Sequence, residues 1–207
     1  MKKASKFIAA VFIIAGLILI FGKREWFPEF YRPQFMGIIA FVSALLIILP
    51  RFIFSARGGS AFSGKPSSEE LNKQKSLNLL QAVLVVGLAL NSLGALGLFQ
   101  LYKIGFEYDK LIHFVVPFLS VIAFSRFGLD WYGWSFGKSI ILAAVLVILG
   151  GFLWELFEFF GDRLFKTEMS GYYGKFIIKD TVWDLAMNFF GVIGGILSFV
   201  FIKKTRG

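Results

Sequence analysis

Asp180-Thr181-Val182-Trp183-Asp184-Leu185-Ala186-Met187-Asn188-Phe189-Phe190-Gly191-Val192-Ile193-Gly194-Gly195 decides how this chain is read. Asp180, Asp184, Asn188, Gly191 and Gly195 recur at intervals of three or four, so one helix face carries acids, then an amide, then glycines. That face lies within an apolar run from about 182 to 202, close to the ~20 residues that cross a bilayer. Lipid cannot solvate ionisable groups at such depth. They are therefore expected to face a protein interior or a wet cavity, where they serve function.

Working outward, similar runs occur at about 7–22, 35–54, 77–101, 108–127 and 138–160. With 57% hydrophobic residues and a mean hydropathy of +0.73, the 207-residue chain is too apolar for a soluble globule. The expectation is a single integral membrane domain over 1–207, all-α, a polytopic bundle of about six transmembrane helices. Cysteine is absent, so neither disulfides nor thiolate chemistry arise. The net charge of +9 is spread over short loops and forms no basic aromatic face, which argues against a nucleic-acid partner.

Six spans put both termini on one side. That side holds 13 Lys and Arg against three acids, and the other holds nine against ten. The positive-inside rule then makes both termini of this multi-pass protein cytoplasmic. Trp26, Tyr31, Tyr102, Tyr108, Trp154, Tyr172, Tyr173 and Trp183 are expected at the outer interface, with Trp131, Tyr132 and Trp134 at the inner one. The first run follows Met1, Lys2, Lys3 and Lys6 but precedes Lys23 and Arg24 without a small-x-small cleavage site, and reads as a retained helix.

A Gly-, Ser- and Lys-rich stretch at about 55–75 reads as a flexible cytoplasmic loop. Within it, Ser67 and Glu70 have the spacing of a capping box, predicting a helix start there. Gly59 to Lys65 imitates the first part of a phosphate-binding loop. Pro66 stands where the magnesium-holding Ser or Thr belongs, and no strand pattern precedes it, so a nucleotide site is not expected. Asn91 and Ser92, with Gly87 and Gly94, read as interhelical packing residues.

Two further stretches join the opening one: Tyr108-Asp109-Lys110-Leu111-Ile112-His113-Phe114 at the start of the fourth run, and Trp154-Glu155-Leu156-Phe157-Glu158 at the end of the fifth. A start, an end and a start fall on one membrane side. The candidate polar pocket is therefore Asp109, Lys110, His113, Glu155, Glu158, Asp180, Asp184 and Asn188, while Gly191 and Gly195 form a small-xxx-small groove for helix packing. Taken singly, Asp109 and Asp180 are equally readable as interface residues that snorkel to water, and Asp180 as a helix cap. His113, Glu155, Asp184 and Asn188 sit a turn deeper, where that escape weakens.

So many carboxylates in one small space require protonation or a cation. No cofactor is demanded, but a divalent metal is admissible, with His113, Glu155 and Asp184 as its candidate ligands. HExxH is absent, and His113 is the one histidine. The three stretches, as Asp109-Lys110-x-x-His113-Phe114, Glu155-x-x-Glu158 and Asp184-x-x-x-Asn188 with Gly191 and Gly195, resemble the VanZ-like proteins and the related YjdF-like group of multipass bacterial membrane proteins. The resemblance covers about 102–202. Glu158 stands where the VanZ pattern commonly has glutamine, and Lys179 where an arginine usually precedes the last Asp. Trp154-Glu155 and Asp180-Thr181 look like the YjdF variant. The resemblance implies a fold and a membrane location, with an association with teicoplanin resistance for VanZ, and no reaction.

Three functions compete. The first is an outer-face pocket that recognises a polar or cationic headgroup of a cell-envelope lipid or amphiphile. The second is a membrane-embedded enzyme acting on lipid-linked substrates, with His113 as base or metal ligand, Asp109 orienting it, and Glu155 or Asp184 as acid or metal ligand. No GxSxG elbow supports a serine nucleophile. Ion or proton transport ranks last, because the polar groups cluster at one membrane face rather than through the bilayer.

Overall fold

The computed structural model describes residues 2–26, 32–55, 67–165 and 177–205. Six helices carry the fold: α1 (Lys2–Phe21), α2 (Pro33–Ser55), α3 (Ser68–Ala95), α4 (Tyr108–Tyr132), α5 (Phe136–Phe165) and α6 (Ile177–Lys204). Short 3-10 segments cover Arg24–Trp26 and Leu98–Ile104, and no strand occurs among the described residues. At 1.5 Å per residue, even the 20-residue α1 is about 30 Å long. All six helices are long and apolar enough to cross a bilayer. Their outward faces are greasy, with Phe7, Leu45, Phe52, Leu153, Leu197 and Phe201 exposed, while Gln81, His113, Asp184 and Asn188 are buried. Apolar outside and polar inside is the arrangement that lipid solvent imposes.

The chain divides into two compact units, Met1–Leu88 and Ala89–Gly207. In the first, α1 and α2 approach closely enough that a Cβ on Gly16 would lie 3.0 Å from the carbonyl oxygen of Gly37. Ala9, Ala44 and Ile47 form its core, with Ile8, Phe12, Val85 and Leu88 packed against them. Pro50 stands inside α2 and lacks the N–H that would bond Leu46. The wholly buried Gln81 donates to the Ile47 carbonyl in that turn, and its amide oxygen accepts from Ser5 Oγ and Arg51 Nε. Arg51 also donates to Asn78, so its charge ends among amides.

α3 starts where the capping-box spacing predicts. Glu70 N–H donates to Ser67 Oγ at 3.2 Å, and Ser67 N–H donates to the Glu70 carboxylate at 2.8 Å. Ser67→Ala should cost about 1 kcal/mol at this end. It should appear as faster amide exchange over the first turn of α3 alone; unchanged exchange there would refute the cap. The rest of the 55–75 stretch up to residue 66, the Gly59–Lys65 loop and Tyr31, Tyr172 and Tyr173 lie outside the described residues.

Two expectations are corrected. The third apolar run does not continue as one helix to 101: α3 ends at Ala95, and Gly97 takes φ 131° before the 3-10 segment begins. Only glycine holds such a backbone cheaply, so the helix breaks there despite unbroken hydrophobicity. Asn91 and Ser92 consequently lie near the end of α3. Tyr108, assigned to the outer aromatic belt, is buried instead; its hydroxyl donates to the Leu90 carbonyl at 3.0 Å and its ring meets Phe99 edge-on.

In the second unit α6 lies directly on α4. A Cβ on Gly191 would fall 2.3 Å from the Phe114 carbonyl oxygen, and one on Gly195 would fall 2.6 Å from that of Phe118. The small-xxx-small groove is thus a backbone-to-backbone contact. Beside this contact, Val121, Val147 and Val192 from α4, α5 and α6 pack as a buried apolar cluster.

Candidate functional site

The glycine contact fixes the register of α4 against α6, and the polar cluster follows from it. Counting back along α6 from Gly191 by three or four reaches Asn188, Asp184 and Asp180; along α4, Phe114 adjoins His113, with Lys110 and Asp109 one turn earlier. The two helices thus bring their first turns together. Lys110 Nζ donates to Asp184 Oδ1 at 2.7 Å and to Asp180 Oδ1, and lies 3.3 Å from Asp109 Oδ2. One ammonium therefore serves three carboxylates.

Beneath it, the His113 ring is shared among three acids without a close hydrogen bond to any. Nε2 is 3.6 Å from Asp109 Oδ1 and 3.8 Å from Asp184 Oδ1, and Nδ1 is 3.6 Å from Glu155 Oε1 on α5. Asn188 is a hydrogen-bonding neighbour of the same ring, and Thr181 of the Glu155 carboxyl group. Two polar atoms stay orphaned in this interior: Glu155 Oε1 and Asn188 Nδ2, on residues 6% and 5% exposed. Buried polar atoms are ordinarily bonded, so each such exception requires a cause.

Exposure grades inward. The Asp109 and Asp180 side chains are about one third exposed, Lys110 less, and Asp184, Glu155 and His113 almost wholly buried. The cluster is a half-open mouth of aspartates over a buried floor of His, Glu and Asp. Donor atoms of Asp109, His113 and Asp184 all lie within 4.8 Å of one another, a grouping able to hold a metal ion. Among the candidate ligands read from sequence, His113 and Asp184 belong to that group. Glu155 faces the other ring nitrogen, and Asp109 takes its place.

Every candidate pocket residue lies in this one unit, and all but Glu158 meet around Lys110 and His113. Glu158, a turn beyond Glu155, accepts from Trp154 Nε1 at 2.7 Å on its own helix. Gly151 escaped the sequence reading: a Cβ there would strike Asn188 Nδ2 at 2.7 Å, so its bareness makes room for the amide. Its position four before Glu155, on the same helix face, was the available signal.

A sequence profile for predicted membrane proteins matches residues 8–205, nearly the whole chain. The chain belongs to the DUF2238 family. Neither the curated proteins nor the solved structures give a match. Membership of DUF2238 agrees with a multi-pass membrane protein, as do the six long apolar helices, and adds no ligand or reaction. In this DUF2238 member the chemistry must be argued from the cluster itself.

Proposed function

We propose that the α4–α5–α6 cluster is an outer-face pocket that takes up a positive charge from outside, presented by the polar or cationic headgroup of a cell-envelope lipid or amphiphile. The observation that carries this reading is Glu155 Oε1, buried on the cluster floor with no hydrogen-bond partner. A carboxylate oxygen in that position gains from a cationic or hydrogen-bond-donating group, and an anion would be repelled by Asp109, Asp180 and Asp184 around it. The partly exposed aspartates supply a polar mouth, and the exposed rings of Trp183 and Phe190 on α6 supply an apolar flank for a chain. The motif resemblance to VanZ-like and YjdF-like proteins supports an envelope role in a bacterial cytoplasmic membrane, with both termini inside.

The test uses the full chain in lipid nanodiscs with a spin-labelled alkylammonium amphiphile, compared with the matching spin-labelled fatty acid. The expected result is a larger motionally restricted fraction for the ammonium. Glu155→Ala and Asp184→Ala should erase that preference while leaving helicity and insertion intact. A preference unchanged in both variants would refute the pocket.

A further inference from the structure

We propose that Asp109, His113 and Asp184 form a divalent-metal site, with Glu155 holding the imidazole from behind and Lys110 as the built-in cation that the metal displaces. This rests on the reading that the pocket takes up external positive charge, and it names the carrier of that charge as a metal ion.

The spacing is the first argument. Hydrogen-bonded nitrogen and oxygen atoms stand about 2.9 Å apart. Here Nε2 of His113 keeps 3.6 Å and 3.8 Å from the two aspartate oxygens. Ligand atoms sharing one ion through bonds of about 2.1 Å at tetrahedral angles stand roughly 3.4 Å apart. The separations are too long for direct bonds and close to what a shared ion imposes.

The opposite ring nitrogen gives the second argument. Metal-bound histidines ordinarily donate their other N–H to a carboxylate, which fixes tautomer and ring orientation. Glu155 Oε1 lies 3.6 Å from Nδ1, on a residue 6% exposed, with no other partner. At 3.6 Å the two are not bonded, but this free oxygen is placed to accept the Nδ1–H once the ring turns to a metal. Asn188 Nδ2, on a residue 5% exposed and without a hydrogen-bond partner, is a second unsatisfied group in the same interior.

The third argument is Lys110. Its ammonium bonds Asp184 Oδ1, the same oxygen that faces His113, and approaches Asp109. A metal on that oxygen and an ammonium on it repel each other, so the two cations alternate. One imidazole and two carboxylates suit zinc or manganese better than magnesium or calcium, which prefer oxygen alone. Three protein ligands leave a coordination position open toward the partly exposed mouth.

The experiment strips the nanodisc-embedded full chain with EDTA and titrates it with Zn²⁺ or Mn²⁺, while circular dichroism monitors folding. Expected is one ion per chain, with a nitrogen coupling in the Mn²⁺ electron-spin-echo spectrum that disappears in His113→Gln. Glu155→Gln should keep the stoichiometry but weaken binding roughly 10- to 100-fold. Lys110→Met should tighten it, by about tenfold, because the competing charge is gone. Those opposite shifts remain readable if His113→Gln fails to fold. No bound ion at millimolar metal overturns the site, as does undiminished binding in His113→Gln or weaker binding in Lys110→Met. Selective amphiphile retention without metal binding overturns this inference and leaves the headgroup reading standing. Metal binding without amphiphile selectivity does the reverse.

Discussion

Lys110→Met, without metal, should lower the stability of the Ala89–Gly207 unit by about 3–5 kcal/mol, the usual cost of leaving a buried partner charge uncompensated. The loss concentrates on Asp184, 1% exposed and bonded to Lys110 Nζ at 2.7 Å. Asp109 and Asp180 are nearly a third exposed and can recruit water, so their share is at most about 1 kcal/mol. Adding Asp184→Asn to Lys110→Met should recover much of the loss, because it removes the charge that lacks a partner. Thermal unfolding in nanodiscs, followed by circular dichroism, measures both. A Lys110→Met protein as stable as the parent would mean that the ammonium does not hold the cluster together. Zn²⁺ should raise the variant's midpoint more than the parent's, since the ion supplies the missing charge.

Gly191→Ala should produce the second large effect, a loss of about 1–3 kcal/mol or more from overpacking. The added methyl would lie 2.3 Å from the Phe114 carbonyl oxygen, and backbone cannot step aside as a side chain can. α6 would have to lift from α4, carrying Asp184 away from Lys110 and His113, so affinity in the pocket should fall with stability. Two other glycines calibrate the result. At Gly194 the methyl meets only side chains, the Phe118 ring at 3.2 Å and the Phe114 ring at 3.7 Å, and a smaller loss is expected. At Gly150 nothing lies within 4 Å, so Ala should be neutral or stabilising by up to about 1 kcal/mol from helix propensity. Equal midpoints for Gly191→Ala and Gly150→Ala would mean that α4 and α6 do not touch through their backbones.

The spans and the shared face of Asp180, Asp184, Asn188, Gly191 and Gly195 were legible because both follow from periodicity alone. The capping box at Ser67 was legible for the same reason: its two bonds are local. What escaped depends on partners distant in sequence. Spacing places Lys110 in the pocket beside Asp109, but not the reach of its side chain to Asp180 and Asp184 on another helix. Tyr108 has the composition of a belt residue, and only its bond to Leu90 reveals a buried one. The end of α3 at Ala95 escaped because hydropathy carries no information on backbone dihedrals such as that of Gly97. Which nitrogen of His113 faces which acid is a matter of rotamer, on which helical spacing is silent.

Val121, Val147 and Val192 pack deeper in the α4–α5–α6 interior than the polar cluster. On the proposed reading, what enters past Asp109 and Asp180 would meet this apolar cluster and leave over the same rim. Occupancy would then follow the composition of one leaflet and be nearly indifferent to the voltage across the membrane. Such a protein would behave as a gauge of its own side of the bilayer.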